Sequence, residues 1–450
     1  MKLIKKESNE KIQKSKEIIK KEKQKIKAEK KKQHQEKKNK SKLGQLLNKV
    51  FKINEKENEV FSLKEQIISM IYFEIIGAVL SLLVLFVLSG GKNYFKLYSE
   101  LAKLINVYDT ITSNYYGDLN KEELVDTAIQ SMVESLGDNY TTYTDNEAKN
   151  TILDELEGTY EGIGCSVSMT LNGEIIVVNL FEDSPASKAG LQVNDIIIKV
   201  DAQDFTNKTS EEMANYIKNS SKSEITLTIK RNEEEKQITI KREKVEIPSV
   251  TSTVIEKDNK KIGYIDISIF SAVTYNQFEN QLEKLEQQNI EGLVIDVRAD
   301  TGGYLTCVTD ISELFLKKGQ VIYQLEDSKA TEKIKDETKT HREYPVAVLI
   351  NASSASASEI LASAIKESYG GIVIGTKSYG KGTVQKTQKL SDGSMIKYTA
   401  QNWLTPNGNW INEVGVEPTL TVEFDITNNI DNQLDAAVSE IIKQLNQTEE

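Results

Sequence analysis

An α/β fold around a buried parallel sheet is predicted by three observations. Gly292–Val297, Val346–Ile350 and Ile372–Ile374 are short apolar runs, the pattern of strands covered on both faces. The first two lead through small-residue turns into stretches of helical spacing, Leu305 to Leu316 and Glu359 to Ser368. Gly370 and Gly371 then stop the second helix before the third strand. These are βαβ units, whose crossovers are right-handed. Ser356 therefore lies just past the carboxyl end of one strand, and Lys381 in the loop past the next. Both are expected on one sheet edge, where open α/β folds place their sites.

A third segment converges there. Arg298-Ala-Asp-Thr-Gly-Gly303 links the Gly292 strand to its helix. A Gly-Gly turn ahead of a helix can aim backbone N–H groups at an anion, as an oxyanion hole requires. A serine here needs a base, and the chain has only two histidines. His34 lies in the basic tail and His341 in a polar stretch before a strand, so a Ser-His-Asp triad would have to use His341. A lysine serves instead when burial strips its charge, and Ser-Lys pairs are a known variant. Gly375 to Lys381 is a near miss for a phosphate-binding loop, but Gly382 stands where the metal-binding Ser or Thr belongs.

Four motifs carry a resemblance. Ser354-Ala-Ser-Ala-Ser-Glu359, Gly380-Lys-Gly-Thr-Val-Gln385, Leu390-Ser-Asp-Gly393 and Thr405-Pro-Asn-Gly408 resemble the C-terminal processing (tail-specific) serine proteases, over about Tyr94 to Glu423. The resemblance implies a crotonase/Clp-protease-like α/β core and a serine endopeptidase without metal or cofactor. It implies Ser356 as nucleophile, Lys381 as general base and Gln385 as the residue that positions the lysine. The implied oxyanion donors are the backbone amides of Gly302 or Gly303 and of Ala357. The family commonly has Asn, and often Pro, before the Gly-Gly pair; this chain has Asp300 and Thr301.

Composition bounds the rest. Residues 1–50 hold 19 lysines against 6 glutamates, a surplus of 13 that leaves −24 on the remainder of a chain of net charge −11. The acidic remainder gives no reason to expect nucleic-acid binding. Cys165 and Cys307 are too few for a disulfide framework and read as two small buried thiols, with a single bridge as the alternative. Residues 1–66 form a lysine-rich tail without the apolar content of a core, suited to anionic lipid headgroups at roughly 1 kcal/mol per basic residue. Residues 67–89 are an apolar stretch of membrane length, expected as a retained single transmembrane helix rather than a cleaved signal peptide. The basic side then stays in the cytoplasm and everything after Gly90 lies outside a bacterial cell membrane.

Residues 92–150 show two helical patterns, one through Leu97, Leu101, Leu104 and Tyr108, the other through Leu124, Ala128 and Met132 with Asn120 as cap. The resemblance implies that this region helps form a homodimer. Residues 155–245 mix strand and turn signals around Gly162-Ile-Gly164, Ser184-Pro-Ala186, Ala189-Gly-Leu191 and Asn194-Asp-Ile-Ile197, which resemble a PDZ domain. That fold captures a peptide carboxylate on backbone N–H groups. The implied loop is Gly162, Ile163, Gly164 and Cys165, and the implied partners are the C-terminal tails of protein substrates. Residues 246–425 return to the protease core, with Gly319 to Glu343 as a charged connection. Residues 426–450 are a terminal helix and tail. A PDZ scaffold with an inactive protease fold, and a crotonase-like acyl-CoA enzyme, are the competing readings.

Overall fold

The computed structural model describes residues 63–88, 94–144, 156–427 and 430–448. The lysine-rich tail lies outside them. The chain forms two compact units, Met1–Gly117 and Asp118–Glu450.

In the first unit, helices span Leu63–Leu88 and Tyr94–Asn114. Among the described residues no helix is both long and apolar enough to cross a membrane. The described side chains Met70–Val84 of the first helix are apolar apart from Glu74 and Ser81. The span expected over 67–89 is thus not established by the fold.

The second unit is built on a six-stranded sheet, ordered Val250–Lys257, Lys260–Ile267, Gly292–Asp296, Val346–Ile350, Ile372–Gly375 and Leu420–Thr421. The first pair is antiparallel and the other neighbours are parallel. Side chains alternate between two cores. Ile265, Ile295, Val348 and Val373 pack with the helices Thr274–Glu286, Leu305–Glu313 and Ala357–Ala364. Ile262, Val294, Leu349 and Ile374 pack with Ala437, Val438 and Ile441 of the terminal helix Asn432–Thr448. Double coverage explains why the central strands have no polar face. A fully buried Val, Leu or Ile contributes roughly 1.5–3 kcal/mol, so the sheet edge is a stiff platform.

A second sheet is antiparallel, in the order Thr142–Thr144, Met395–Leu404, Val321–Glu326 and Thr331–Lys335, with Thr383–Lys389 also paired to Met395–Leu404. It corrects the expectation of a plain connection between Gly319 and Glu343. The strand there is half polar, yet Ile322, Tyr323 and Gln324 are all buried. Gln324 is accommodated because its amide donates to the Pro406 carbonyl at 2.9 Å. Met395–Leu404 is one continuous strand.

Residues 159–246 form a separate module with its own core around Val177, Ile197, Leu227 and Ile229. Its sheet runs Cys165–Met169, Ile175–Leu180, Ile196–Val200, Glu224–Arg231 and Glu234–Lys241. Asn232 and Glu233 turn the last hairpin with positive φ of 53° and 65°. Thr209 opens the Ser210–Lys218 helix with a capping box to Glu212. Thr159–Gly162 pairs with Glu243–Glu246 to close the module at its stem.

Candidate active site

The turn after Val346–Ile350 and the helix start that follows hold four serines with different fates, of which Ser353 is exposed on the surface. Ser354 is fully buried; its hydroxyl donates to the Val297 carbonyl at 2.7 Å and accepts from Asn351 N–H. Ser358 is also buried and donates to the Asp300 carbonyl at 2.9 Å. Ser356 between them is half-buried, and its hydroxyl donates to no group among the described residues. Its φ of 56° and ψ of −111° put a non-glycine residue in strained backbone at the mouth of the Ala357–Ala364 helix. Such strain persists only where the surroundings impose it, and it is how sharp turns project a nucleophile.

Glu359 imposes it. Its carboxyl group is completely buried and accepts four hydrogen bonds. Oε2 takes Ser356 N–H at 2.8 Å and Lys381 N–H at 2.9 Å. Oε1 takes the Ser378 hydroxyl at 2.6 Å and Gly380 N–H at 2.7 Å. One side chain therefore ties the main chain of the serine to that of the lysine. Sequence reasoning missed this role, because an acidic residue in a helix's first turn is the usual dipole partner. The signal available was Glu359 amid buried small residues.

Lys381 sits in the loop ahead of Thr383–Lys389. Its carbonyl accepts from the Trp403 indole at 2.7 Å. Its ammonium lies 4.8 Å from the centre of the Tyr140 ring. Burial holds the amine below the ordinary lysine range, the charge of Lys397 adds to this, and Glu359 opposes it. The aromatic face also favours the charged form; burial is the larger effect. Tyr140, which the sequence did not single out, is anchored from both sides. Its N–H donates to Asp138, and the next residue, Thr141, accepts Thr399 N–H at 3.1 Å. Burial, followed by a hydrogen bond with Tyr379, raises the Tyr140 phenol to about 12.

Among the described residues no hydrogen bond joins the Ser356 hydroxyl to the Lys381 amine. Gln385 lies on the Thr383–Lys389 strand, and its amide nitrogen donates to Thr383 at 2.9 Å and Thr399 at 3.3 Å, not to Lys381. The expected lysine–glutamine contact is not made in this arrangement: among the described residues no hydrogen bond joins the Lys381 amine to Gln385, whose NH₂ is held by the two threonine hydroxyls. His341 is exposed, with its ring 3.5 Å from Glu343, a surface pair and not a triad.

The glycine turn closes over the serine. Gly302 has φ of 101°, and a Cβ there would lie 2.8 Å from Ser356 Cβ and 2.9 Å from Ala357 N. Only glycine fits such an approach. Of the three expected oxyanion donors, Gly303 and Ala357 N–H donate to no group among the described residues. Gly302 N–H is instead taken by Asp300 Oδ1 at 2.8 Å.

In the 159–246 module, the carbonyls of Ile163 and Gly164 accept from Ala186 and Phe181 N–H, fixing the expected carboxylate loop. Tyr160, which sequence reasoning overlooked, packs on it. A Cβ at Gly162 would fall 2.2 Å from the Tyr160 ring. Burial, then the neighbouring Cys165, raises the Tyr160 phenol to about 12. Cys165 and Cys307 are free thiols, the first half-buried and the second buried. Among the described residues no cluster of His, Cys, Asp or Glu is arranged to hold a metal.

Three family models match the chain: peptidase family S41 over residues 261–422, a PDZ domain over 162–241, and the N-terminal domain of the activating protease CtpB over 88–148. The carboxy-terminal processing protease CtpB of Bacillus subtilis is 40% identical over 324 residues, covering 71% of this chain and 67% of that protein. The chain belongs to peptidase family S41. It is a C-terminal processing serine protease with a PDZ domain, like CtpB. A probable CtpA-like serine protease of Staphylococcus aureus is 34% identical, covering 72% of this chain and 65% of that protein. The chain thus spans about two thirds of the length of these S41 relatives. The solved photosystem II D1 C-terminal processing protease is 23% identical, with coverage of 74% and 87% and a TM-score of 0.45.

Proposed function

We propose that this S41 protease cuts protein chains near their C-termini, with Ser356 as nucleophile and Lys381 as general base. The observation that carries this is the division of labour along the serine turn: Ser354 and Ser358 are locked into main-chain bonds, whereas Ser356, in a strained conformation, is braced to the lysine loop through Glu359. Ser356 Oγ attacks the scissile carbonyl carbon while neutral Lys381 takes its proton. The carbonyl oxygen, now negative, is received by Gly303 and Ala357 N–H. Lys381 returns the proton to the leaving amine, and water then releases the acyl group by the reverse route. The amine must first swing from the Tyr140 ring toward the hydroxyl, a side-chain rotation in which Gln385 can take up its positioning role.

Residues 162–165 would bind the carboxylate of the substrate tail. The test is an unfolded protein with an apolar C-terminus, offered with a free or an amidated terminus and followed by mass analysis. Truncation of the free form at internal peptide bonds is expected, with the amidated form cut at least five-fold more slowly. Equal rates would remove the PDZ module from substrate capture. Because burial depresses the Lys381 pKa, the amine loses its proton as pH rises, so kcat/KM should rise along the acid limb of its pH profile. A rate independent of pH on the acid side, with chemistry limiting, would contradict Lys381 as base.

The apolar stretch 67–89 behind a strongly basic tail supports a single-pass anchor with its N-terminus in the cytoplasm and the protease on the extracytoplasmic face. Alkali-resistant sedimentation with membranes is expected for the full chain and not for one lacking residues 63–89. Exposed Leu101, Leu104 and Val107 on Tyr94–Asn114 support a second copy of the chain as partner.

A further inference from the structure

We propose that Asp300 is a positioning residue whose proton governs the oxyanion loop: uncharged, it permits negative charge to form beside Gly302, and ionised, it opposes that charge and holds the Gly302 amide more tightly. The proposal rests on Ser356 and Lys381 as the reacting pair.

Asp300 is completely buried. Its Oδ1 accepts Gly302 N–H at 2.8 Å, while its Oδ2 is buried without any hydrogen-bond partner. Its main-chain carbonyl accepts Ala355 N–H at 3.0 Å and the Ser358 hydroxyl at 2.9 Å, so the residue is strapped to both flanks of Ser356. Gly302, on the other side, touches Ser356 Cβ and Ala357 N. The carboxyl group therefore stands behind Gly302, the residue that lies between it and the Ala357 amide and adjoins Gly303.

Two consequences follow from its ionisation. A fixed negative charge in this dry setting repels the negative tetrahedral intermediate, the reverse of what an oxyanion site provides. A hydrogen bond from Gly302 N–H to a carboxylate is also roughly twice as strong as one to a neutral acceptor, so ionisation stiffens the turn that aims the adjoining Gly303 amide.

The surroundings favour the proton. Burial, helped by the charge of Asp266 on the neighbouring strand, raises the Asp300 carboxyl to about 7 against the pull of Gly302 and Ser358. Cys307, facing it from the Leu305–Glu313 helix, is itself pushed up to about 12 by burial. Among the described residues no cation answers the carboxyl group: Arg298 is turned to Asp296, Asp431 and Gln433. Glu359 is occupied by its own four donors. An uncompensated buried oxygen resists carrying charge.

The active species then holds a proton on Asp300 and none on Lys381. The experiment is kcat/KM against pH from 5.5 to 9.5 for the full chain in detergent, on a peptide with an apolar free C-terminus. Wild type should give a bell whose alkaline fall reverses on returning to neutral pH. Asp300→Asn keeps the shape and has no proton to lose. It should keep the rising limb and lose the falling one, exceeding wild type at least five-fold at pH 9. A wild-type profile with no alkaline fall overturns the proposal without any variant. So does an Asp300→Asn profile that superposes on wild type, or a folded variant dead at every pH, because a neutral isostere should serve. Retained cleavage by Ser356→Ala or Lys381→Ala would instead sink the underlying assignment, so the two failures are distinguishable.

Discussion

Ser356→Ala should lower cleavage by roughly 10⁴-fold or more, because no other hydroxyl occupies the strained position that Glu359 braces to the lysine loop. Ser354 and Ser358 are both buried and committed to carbonyls, and a shift of either would release the turn itself. Lys381→Ala should cost a similar factor, since reacting partners in such a pair do not contribute additively. Removing Lys381 also exchanges a poorly solvated amine for a methyl group, so the variant should be at least as stable as wild type. Loss of rate with unchanged or raised Tm separates chemistry from folding. Residual cleavage within ten-fold of wild type in Lys381→Ala would require a different base.

Glu359→Ala should be the most damaging change outside the reacting pair. It strands four donors, three of them backbone N–H groups, in a site closed to bulk water. A buried unsatisfied donor costs about 1–3 kcal/mol, so even partial relaxation leaves a loss of several kcal/mol. Glu359→Gln is the sharper test. It preserves volume, but its –NH₂ must meet donors where an oxygen stood. Its kcat should fall roughly 10²-fold or more, since sub-ångström errors in placement are expensive to catalysis. The tail-binding affinity of the separate PDZ module should stay unchanged. A Glu359→Gln enzyme with full kcat would mean that the four-way brace is dispensable.

The parallel strands were legible in the sequence because burial on both faces leaves an unbroken apolar signal, as at Val346–Ile350. Topology then put Ser356 and Lys381 on a common edge with no knowledge of side chains. What escaped notice was whatever depended on distant partners. Val321–Glu326 looked like a linker because Gln324 is buried on the strength of a carbonyl supplied by Pro406. Glu359 looked like a dipole partner because its four donors come from turns on both sides of the helix. Tyr140 carried no local signal at all, since its importance comes from where the second sheet brings Lys381. The same holds for Asp300, whose burial is set by the serine turn folded over it.

The aromatic cover on the base has a practical meaning for how the molecule can be taken apart. Thr142–Thr144 joins the sheet of Met395–Leu404, and the ring over Lys381 arrives on the residues just ahead of that strand. A recombinant fragment starting at the PDZ module would keep the parallel sheet, the strained serine and the glycine turn. It would nonetheless leave the Lys381 amine without its aromatic cover. The boundary of the working catalyst therefore does not coincide with the boundary of its largest core.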